Sequence, residues 1–202
     1  KSSVHADLTS GQAWVVNGLG SGAGALKASP ASPTGFTPGP GDVEVDVHGN
    51  ASLLGGSGAD TLIADDGANA IYDGAGDDVV LALAGDDAIV AATGPGNDIY
   101  DGGAGNDTLS YAAAVAAIVA DLSAGTAYGT DIGSDVLVSV ESIIGGGGDD
   151  VLSAGAGANV IIGGYGNDEL AGGTGDDVLY GGDGRDTAVF RAGSSAVWRI
   201  PE

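Results

Sequence analysis

The chain has no cysteine and no methionine among its 202 residues, and only five Lys plus Arg, two His, six Pro and 5% aromatic side chains. Without cysteine there is no disulfide framework, no thiol nucleophile and no thiolate metal site. The shortage of basic residues stands against 28 Asp plus Glu and a formal net charge of −23. That balance excludes most nucleic-acid readers, because phosphate contacts need a basic face. The basic residues are Lys1, Lys27, Arg185, Arg191 and Arg199, so nothing across 28–184 offsets the acids, and an anionic membrane surface would repel that stretch. No run approaches the roughly 18 apolar residues that span a bilayer, and no basic, hydrophobic leader opens the chain. A soluble chain without a membrane span is expected. It opens on Lys1 without a methionine, which leads us to expect a fragment or a processed piece.

The catalytic inventory is equally thin. His5 and His48 are the two histidines, and neither HExxH nor a GxSxG elbow occurs. Each histidine is expected to be an ordinary surface or strand residue. No Gly-Lys-Ser/Thr follows a glycine run, and no DxDxDG loop with Glu at position twelve occurs, which removes phosphate loops and helical EF-hands. The chain itself is therefore expected not to be an enzyme. Pairs such as Asp149-Asp150 and Asp176-Asp177 need an explanation other than a glycosidase dyad.

Glycine is what the chain has in excess, 40 residues, roughly three times average usage. Each is costly to order, yet 43% apolar content and a mean hydropathy of +0.19 oppose a disordered polyelectrolyte. Internal repetition resolves the conflict. From Gly55 to Ser110 the chain reads GGSGADTLI, ADDGANAIY, DGAGDDVVL, ALAGDDAIV, an extra Ala91-Ala92, TGPGNDIYD and GGAGNDTLS. From Gly145 to Val189 it reads GGGGDDVLS, AGAGANVII, GGYGNDELA, GGTGDDVLY and GGDGRDTAV. Position four is always glycine. Position six is Asp60, Asn69, Asp78, Asp87, Asp98 and Asp107, then Asp150, Asn159, Asp168, Asp177 and Asp186. Position eight is apolar throughout, from Leu62 to the weaker Ala188, with Tyr100 the one aromatic.

On these residues the sequence resembles the RTX family, whose GGxGxDxUx nonapeptide forms a calcium-binding parallel β-helix. The resemblance covers 55–110 and 145–189. Departures are Ala64-Asp65 and Ala82-Leu83 in place of the glycine pair, and the inserted Ala91-Ala92. The fold expected is all-β, a parallel β-roll or β-solenoid of calcium-binding nonapeptide repeats in two blocks. Five segments follow: 1–54, a non-calcium strand pair with a Pro-rich loop; 55–110, the first block; 111–144, a non-calcium strand pair continuing the solenoid; 145–189, the second block; and 190–202, a C-terminal cap. The two strand pairs are linked by an echo, SVHADLTSGQA from Ser3 and IVADLSAGTA from Ile118. A flexible linker competes for residues 17–42.

Physically, the glycines let successive carbonyls turn toward one point, while the eighth side chain projects inward. Two nonamers make one coil, with loops on two opposite edges. Same-edge units stack about 4.8 Å apart, where two bare carboxylates repel by several kcal/mol at an effective dielectric near 20. A hard cation reverses the sign, since calcium takes six to eight oxygens. One inward side chain gives roughly 1.5 to 3 kcal/mol against about 10 kcal/mol to order nine residues, so calcium is expected to be part of the fold. Same-edge pairing gives Asp60–Asp78, Asp78–Asp98, Asn69–Asp87, Asp87–Asp107, Asp150–Asp168, Asp168–Asp186 and Asn159–Asp177. These would hold about seven Ca2+ ions, the Asn intervals more weakly.

The resemblance implies the ligands: the sixth-position residues, with carbonyls such as those of Gly56, Gly58, Gly74, Gly76, Gly164, Gly166, Gly173 and Gly175. It also implies a bacterial protein exported unfolded by type I secretion and folded by calcium outside the cell. The expected function is a calcium-binding module that folds after secretion and stabilises a larger extracellular polypeptide. One alternative is a segment of a calcium-rigidified adhesin, surface-layer or matrix protein, which would meet other cell-surface molecules. Another is the accessory module of a secreted hydrolase or polysaccharide-modifying enzyme whose catalytic domain lies elsewhere. Trp14, Tyr111, Phe190 and Trp198 could mark a carbohydrate face; closure of the coil stack by the aromatics near 111 and 190 is the stronger expectation.

Overall fold

The computed structural model describes residues 52–190 and 195–199, together with the backbone of two strands, β1 (Gly24–Lys27) and β2 (Val43–Asp46). His5, His48, Trp14, the echo from Ser3 and most of the Pro-rich stretch lie outside the described residues. What is described is strand, turn and bend, with no helix.

Each repeat contributes one short strand. β3 (Ser52–Ser57) leads into the first block, which yields β4 (Thr61–Ile63), β5 (Ala70–Ala75), β6 (Val79–Leu81), β7 (Ala88–Val90), β8 (Ile99–Asp101) and β9 (Thr108–Ser110). The second yields β14 (Val151–Ser153), β15 (Val160–Tyr165), β16 (Glu169–Ala171), β17 (Val178–Asp183) and β18 (Thr187–Val189). Strands alternate between two sheets, because a nonamer is half a coil. The xUx half leaves one inward side chain per strand, and the glycine half turns the chain through about half a circle to the opposite sheet.

Position eight forms the core. In the eight-stranded sheet Leu53, Ile71, Ile89, Leu109, Ile143, Ile161 and Leu179 lie in unbroken parallel register, with Trp198 of β19 (Val197–Arg199) next on Leu179. The first seven are at most 1% exposed, and Trp198 is partly buried against the same core. The opposite sheet stacks Leu62, Val80, Tyr100 and Leu137, and then Ala120, Leu152, Leu170 and Ala188.

The two sheets differ between the blocks. Residues 111–144, where a strand pair was expected, supply four strands: β10 (Ile118–Asp121), β11 (Thr126–Gly129), β12 (Gly133–Val138) and β13 (Ser142–Ile144). The first three form an antiparallel meander, since the four-residue connection 122–125 is too short for a parallel crossover. Asp121 Oδ1 fixes that turn by accepting the N–H groups of Ser123 and Ala124. The meander fits into the eleven-stranded sheet, β12 parallel to β8 and β10 parallel to β14. In the other sheet β13 simply joins β9 to β15. Tyr111 therefore does not close a stack: the stack continues past residue 110, and the ring is 1% exposed in its interior. Phe190 does not close it either, being 54% exposed.

Candidate metal centre

The sixth-position side chains sit where the turns enter the strands, and they are buried. Asp60, Asn69, Asp78, Asp87, Asp107, Asp150, Asn159, Asp168 and Asp177 are at most 3% exposed and Asp98 is 7% exposed, while Asp186 is half-buried. Their geometry is a ladder. On the edge leading into the eleven-stranded sheet, the Asp60 N–H donates to Asp78 Oδ1 at 2.7 Å and the Asp78 N–H to Asp98 Oδ1 at 2.7 Å. In the second block Asp150 N–H donates to Asp168 Oδ1 at 2.8 Å, and Asp168 N–H to Asp186 Oδ1 at 3.1 Å. On the other edge the rungs are Asn69 to Asp87 at 2.7 Å, Asp87 to Asp107 at 2.8 Å and Asn159 to Asp177 at 3.1 Å. Each of the seven pairs drawn from the spacing is thus a hydrogen-bonded neighbour pair.

The rung uses Oδ1 and leaves the second oxygen. Oδ2 of Asp78, Asp87, Asp107, Asp168 and Asp177 is buried with no hydrogen-bond partner. An ionised oxygen in that state is costly. Its surroundings are oxygen-rich. A Cβ placed on Gly163 would collide with Asp168 Oδ2 and lie 2.5 Å from the Gly181 carbonyl oxygen. The first-position glycine thus leaves a gap into which the carboxylate and the next turn's carbonyl both project. Gly56, Gly58, Gly74, Gly76, Gly164, Gly166, Gly173 and Gly175 all have positive φ, between +89° and +148°. At Gly76 and Gly166 a Cβ would also overlap the carbonyls of Gly58 and Gly148 one turn below. Among the described residues no three carboxylate or imidazole side chains converge. A cation on these edges must therefore draw on one or two carboxylates and on backbone carbonyls, a hard all-oxygen donor set that suits calcium.

Burial dominates the electrostatics. It pushes Asp78 up to about 7 and Asp107 and Asp168 up to about 6, with neighbouring carboxylates adding and the rung N–H groups opposing. Asp87 and Asp150 are raised for the same first reason. A divalent cation beside these carboxylates would oppose the shift, because it favours their ionised form.

Two further acids of this ladder, and one beside it, do not follow from the nonapeptide spacing. Asp135, 3% exposed, accepts the Asp98 N–H at 3.0 Å, and Glu141 Oε2 accepts the Asp107 N–H at 2.9 Å. Asp73, fully buried, accepts the Gly74 and Ala92 N–H groups. A signal for Asp135 existed: Gly133, Asp135 and Leu137 repeat the four-six-eight pattern. At Asp98 and Asp135 the second oxygen is treated differently. Tyr100 donates its hydroxyl to Asp73 Oδ2 and lies 3.1 Å from Asp98 Oδ2, while the Tyr111 hydroxyl donates to Asp135 Oδ2 at 2.7 Å. The two rings meet edge to face, centroids 6.4 Å apart. A second, exposed ladder runs at position five, for example Asn167 N–H to Asp149 Oδ1 at 2.8 Å and Asn97 N–H to Asp77 Oδ1 at 2.9 Å.

Among the described residues no helix is long and apolar enough to cross a membrane. No curated protein matches the chain. The RTX calcium-binding nonapeptide repeat matches in four copies, over residues 54–89, 92–109, 140–168 and 162–194. Those spans bracket the meander and cover the sixth-position residues of the nonapeptide units, and the chain belongs to the RTX calcium-binding repeat family.

Proposed function

We propose that this β-roll is a calcium-triggered folding module of a larger secreted bacterial protein, disordered where calcium is scarce and rigid outside the cell. The observation that carries the reading is the row of buried, unpartnered Oδ2 atoms at Asp78, Asp87, Asp107, Asp168 and Asp177. Like charges stacked in a dry edge oppose the fold until a cation neutralises them. The sixth-position residues and the glycine carbonyls would hold about seven Ca2+ ions, which supply charge neutralisation and cross-turn ligation. At sites with Kd near 10⁻⁴ M, free calcium near 10⁻³ M contributes about 1.4 kcal/mol per site, and almost nothing at far lower concentration. Summed over several sites, that difference follows the contrast between cytoplasm and exterior. The module's role is then to delay folding until export and to stiffen the polypeptide to which it belongs.

Far-ultraviolet circular dichroism through a calcium titration, from chelator to about 10 mM, tests this, with magnesium as control. A cooperative coil-to-β transition with calcium alone is the expected result. A spectrum already β-rich in chelator overturns folding on export.

A further inference from the structure

The cation ladder leading into the eight-stranded sheet has one more interval than the nonapeptide repeats account for. At a regular interval the unpartnered oxygen has a recognisable companion. Above Gly163, Asp168 Oδ2 is joined by the carbonyl of Gly181 from the next turn on its edge. Asp107 is fully buried and its Oδ2 has no partner, yet no repeat follows it: the next turn on its edge is 139–141. There the same arrangement recurs. A Cβ on Gly102 would lie 2.6 Å from Asp107 Oδ2 and would collide with the carbonyl oxygen of Ser139. Ser139 holds φ +49°, a left-handed conformation that the described repeats give to glycine at every position but Leu83. Glu141 stands where a sixth-position Asp would, since its Oε2 takes the Asp107 N–H as Asp107 Oδ1 takes that of Asp87. Ile143 then pairs with Leu109 as an eighth-position residue.

The turn is short. From the carbonyl-bearing residue to the acid it runs 139 to 141, where a repeat runs 102 to 107. A carboxylate reaching the rung from this contracted turn needs the longer arm of glutamate, which is the residue present.

We infer that Asp107, the Ser139 carbonyl and Glu141 form a further site for a hard divalent cation of the calcium class, bridging the two repeat blocks. This inference rests on reading the regular edges as calcium sites. Its consequence is continuity: the edge Asn69, Asp87, Asp107 is tied through Glu141 to the turn before Asn159 and Asp177.

Bound calcium is counted on the full chain by equilibrium dialysis and atomic emission. Glu141→Gln keeps an acceptor for the Asp107 N–H and removes the charge, and is expected to bind one ion fewer than the unsubstituted chain, or to bind it at least about tenfold more weakly. The exposed Glu169→Gln retains the full count. Equal counts and affinities for the Glu141→Gln and unsubstituted chains overturn the bridging site while leaving the regular sites standing. An unsubstituted chain that binds no calcium overturns both. Should Glu141→Gln fail to become β-rich at any calcium concentration, Glu141→Asp decides: its shorter arm is expected to lose the same ion, and an unchanged count overturns the site.

Discussion

The two edges of the roll carry the same backbone ladder and part company at the junction between blocks. On the edge entering the eight-stranded sheet, the rungs pass from Asp107 to Glu141 and the sheet runs on through β13. On the edge entering the eleven-stranded sheet they pass from Asp98 to Asp135 and stop. The meander then separates Asp135 from Asp150, whose Oδ1 takes the Ile118 N–H instead of another turn's sixth position. What differs is the fate of the second carboxylate oxygen: unpartnered at Asp107, but given a tyrosine hydroxyl at Asp135. The ladder therefore fixes only where the acids stand. On the proposed reading, whether an interval takes a cation depends on whether a proton donor reaches the remaining lone pairs.

The comparison breaks most visibly at Asp168, which belongs to two intervals, with Asp150 below and Asp186 above. Asp168→Asn keeps an acceptor for the rung but removes the charge from both. At free calcium tenfold above Kd the loss is about 3 kcal/mol, read as a lower melting temperature in calcium and a higher calcium midpoint for folding. An unchanged midpoint would show that these acids do not bind the ion. Tyr111→Phe acts on the other kind of interval. It leaves Asp135 Oδ2 buried without its donor, at a cost of about 1–3 kcal/mol, and this loss is expected to persist in saturating calcium with no change in ion number. A gain of one ion would sharpen the point further, showing that the hydroxyl stands in the place of a cation.

Proton binding separates the calcium-free and calcium-loaded forms. Asp78, held at about 7, and Asp107 and Asp168, at about 6, bind protons more tightly folded than unfolded. Their protonated forms favour the fold fully below the ordinary carboxylate value of 3.8, and that contribution is lost as pH rises through 6 to 7. Calcium-free protein is thus expected to be most β-rich near pH 4 and to lose structure toward pH 7. Calcium affinity should run the opposite way, with protons released on binding near pH 6. A pH-independent spectrum in chelator would remove the electrostatic account of the switch.

Most of this architecture is written in three positions of nine. Glycine at four, Asp at six and an apolar residue at eight placed the strands, the core and the seven hydrogen-bonded pairs, because each is a local requirement of a half-coil. The junction is harder to read for physical reasons. Asp135 sits in a unit that keeps four, six and eight but lacks the glycine pair at its start, where Thr130 and Asp131 stand. Glu141 follows a contracted turn, so no fixed spacing points to it. Asp73 occupies a first position that is glycine in six of the eleven units, and it is held by Tyr100 arriving from a strand 27 residues later. The meander competes for sheet positions that periodicity alone cannot assign, since its strands obey hairpin geometry and not the nine-residue period.

The smallest expected effect, and the finest test of the comparison, lies at Asn159. Its amide nitrogen lies 3.2 Å from Asp177 Oδ1 and 3.4 Å from the Gly157 carbonyl oxygen, so this interval carries its own donor in addition to the backbone rung. Unlike the tyrosine at Asp135, the amide reaches Oδ1, the oxygen that the rung already uses, and leaves Asp177 Oδ2 without a partner. Asn159→Asp converts the interval to the regular kind. Two opposed changes should follow: lower stability without calcium, from one more buried carboxylate, and tighter binding at that interval with calcium. With the amide donors worth about 1 kcal/mol, the pH at which the calcium-free protein loses its β structure should fall slightly, and the melting temperature in calcium should rise slightly. A shift of the same sign in both would mean that the amide and the cation are not alternatives, and that the difference between the edges is one of packing.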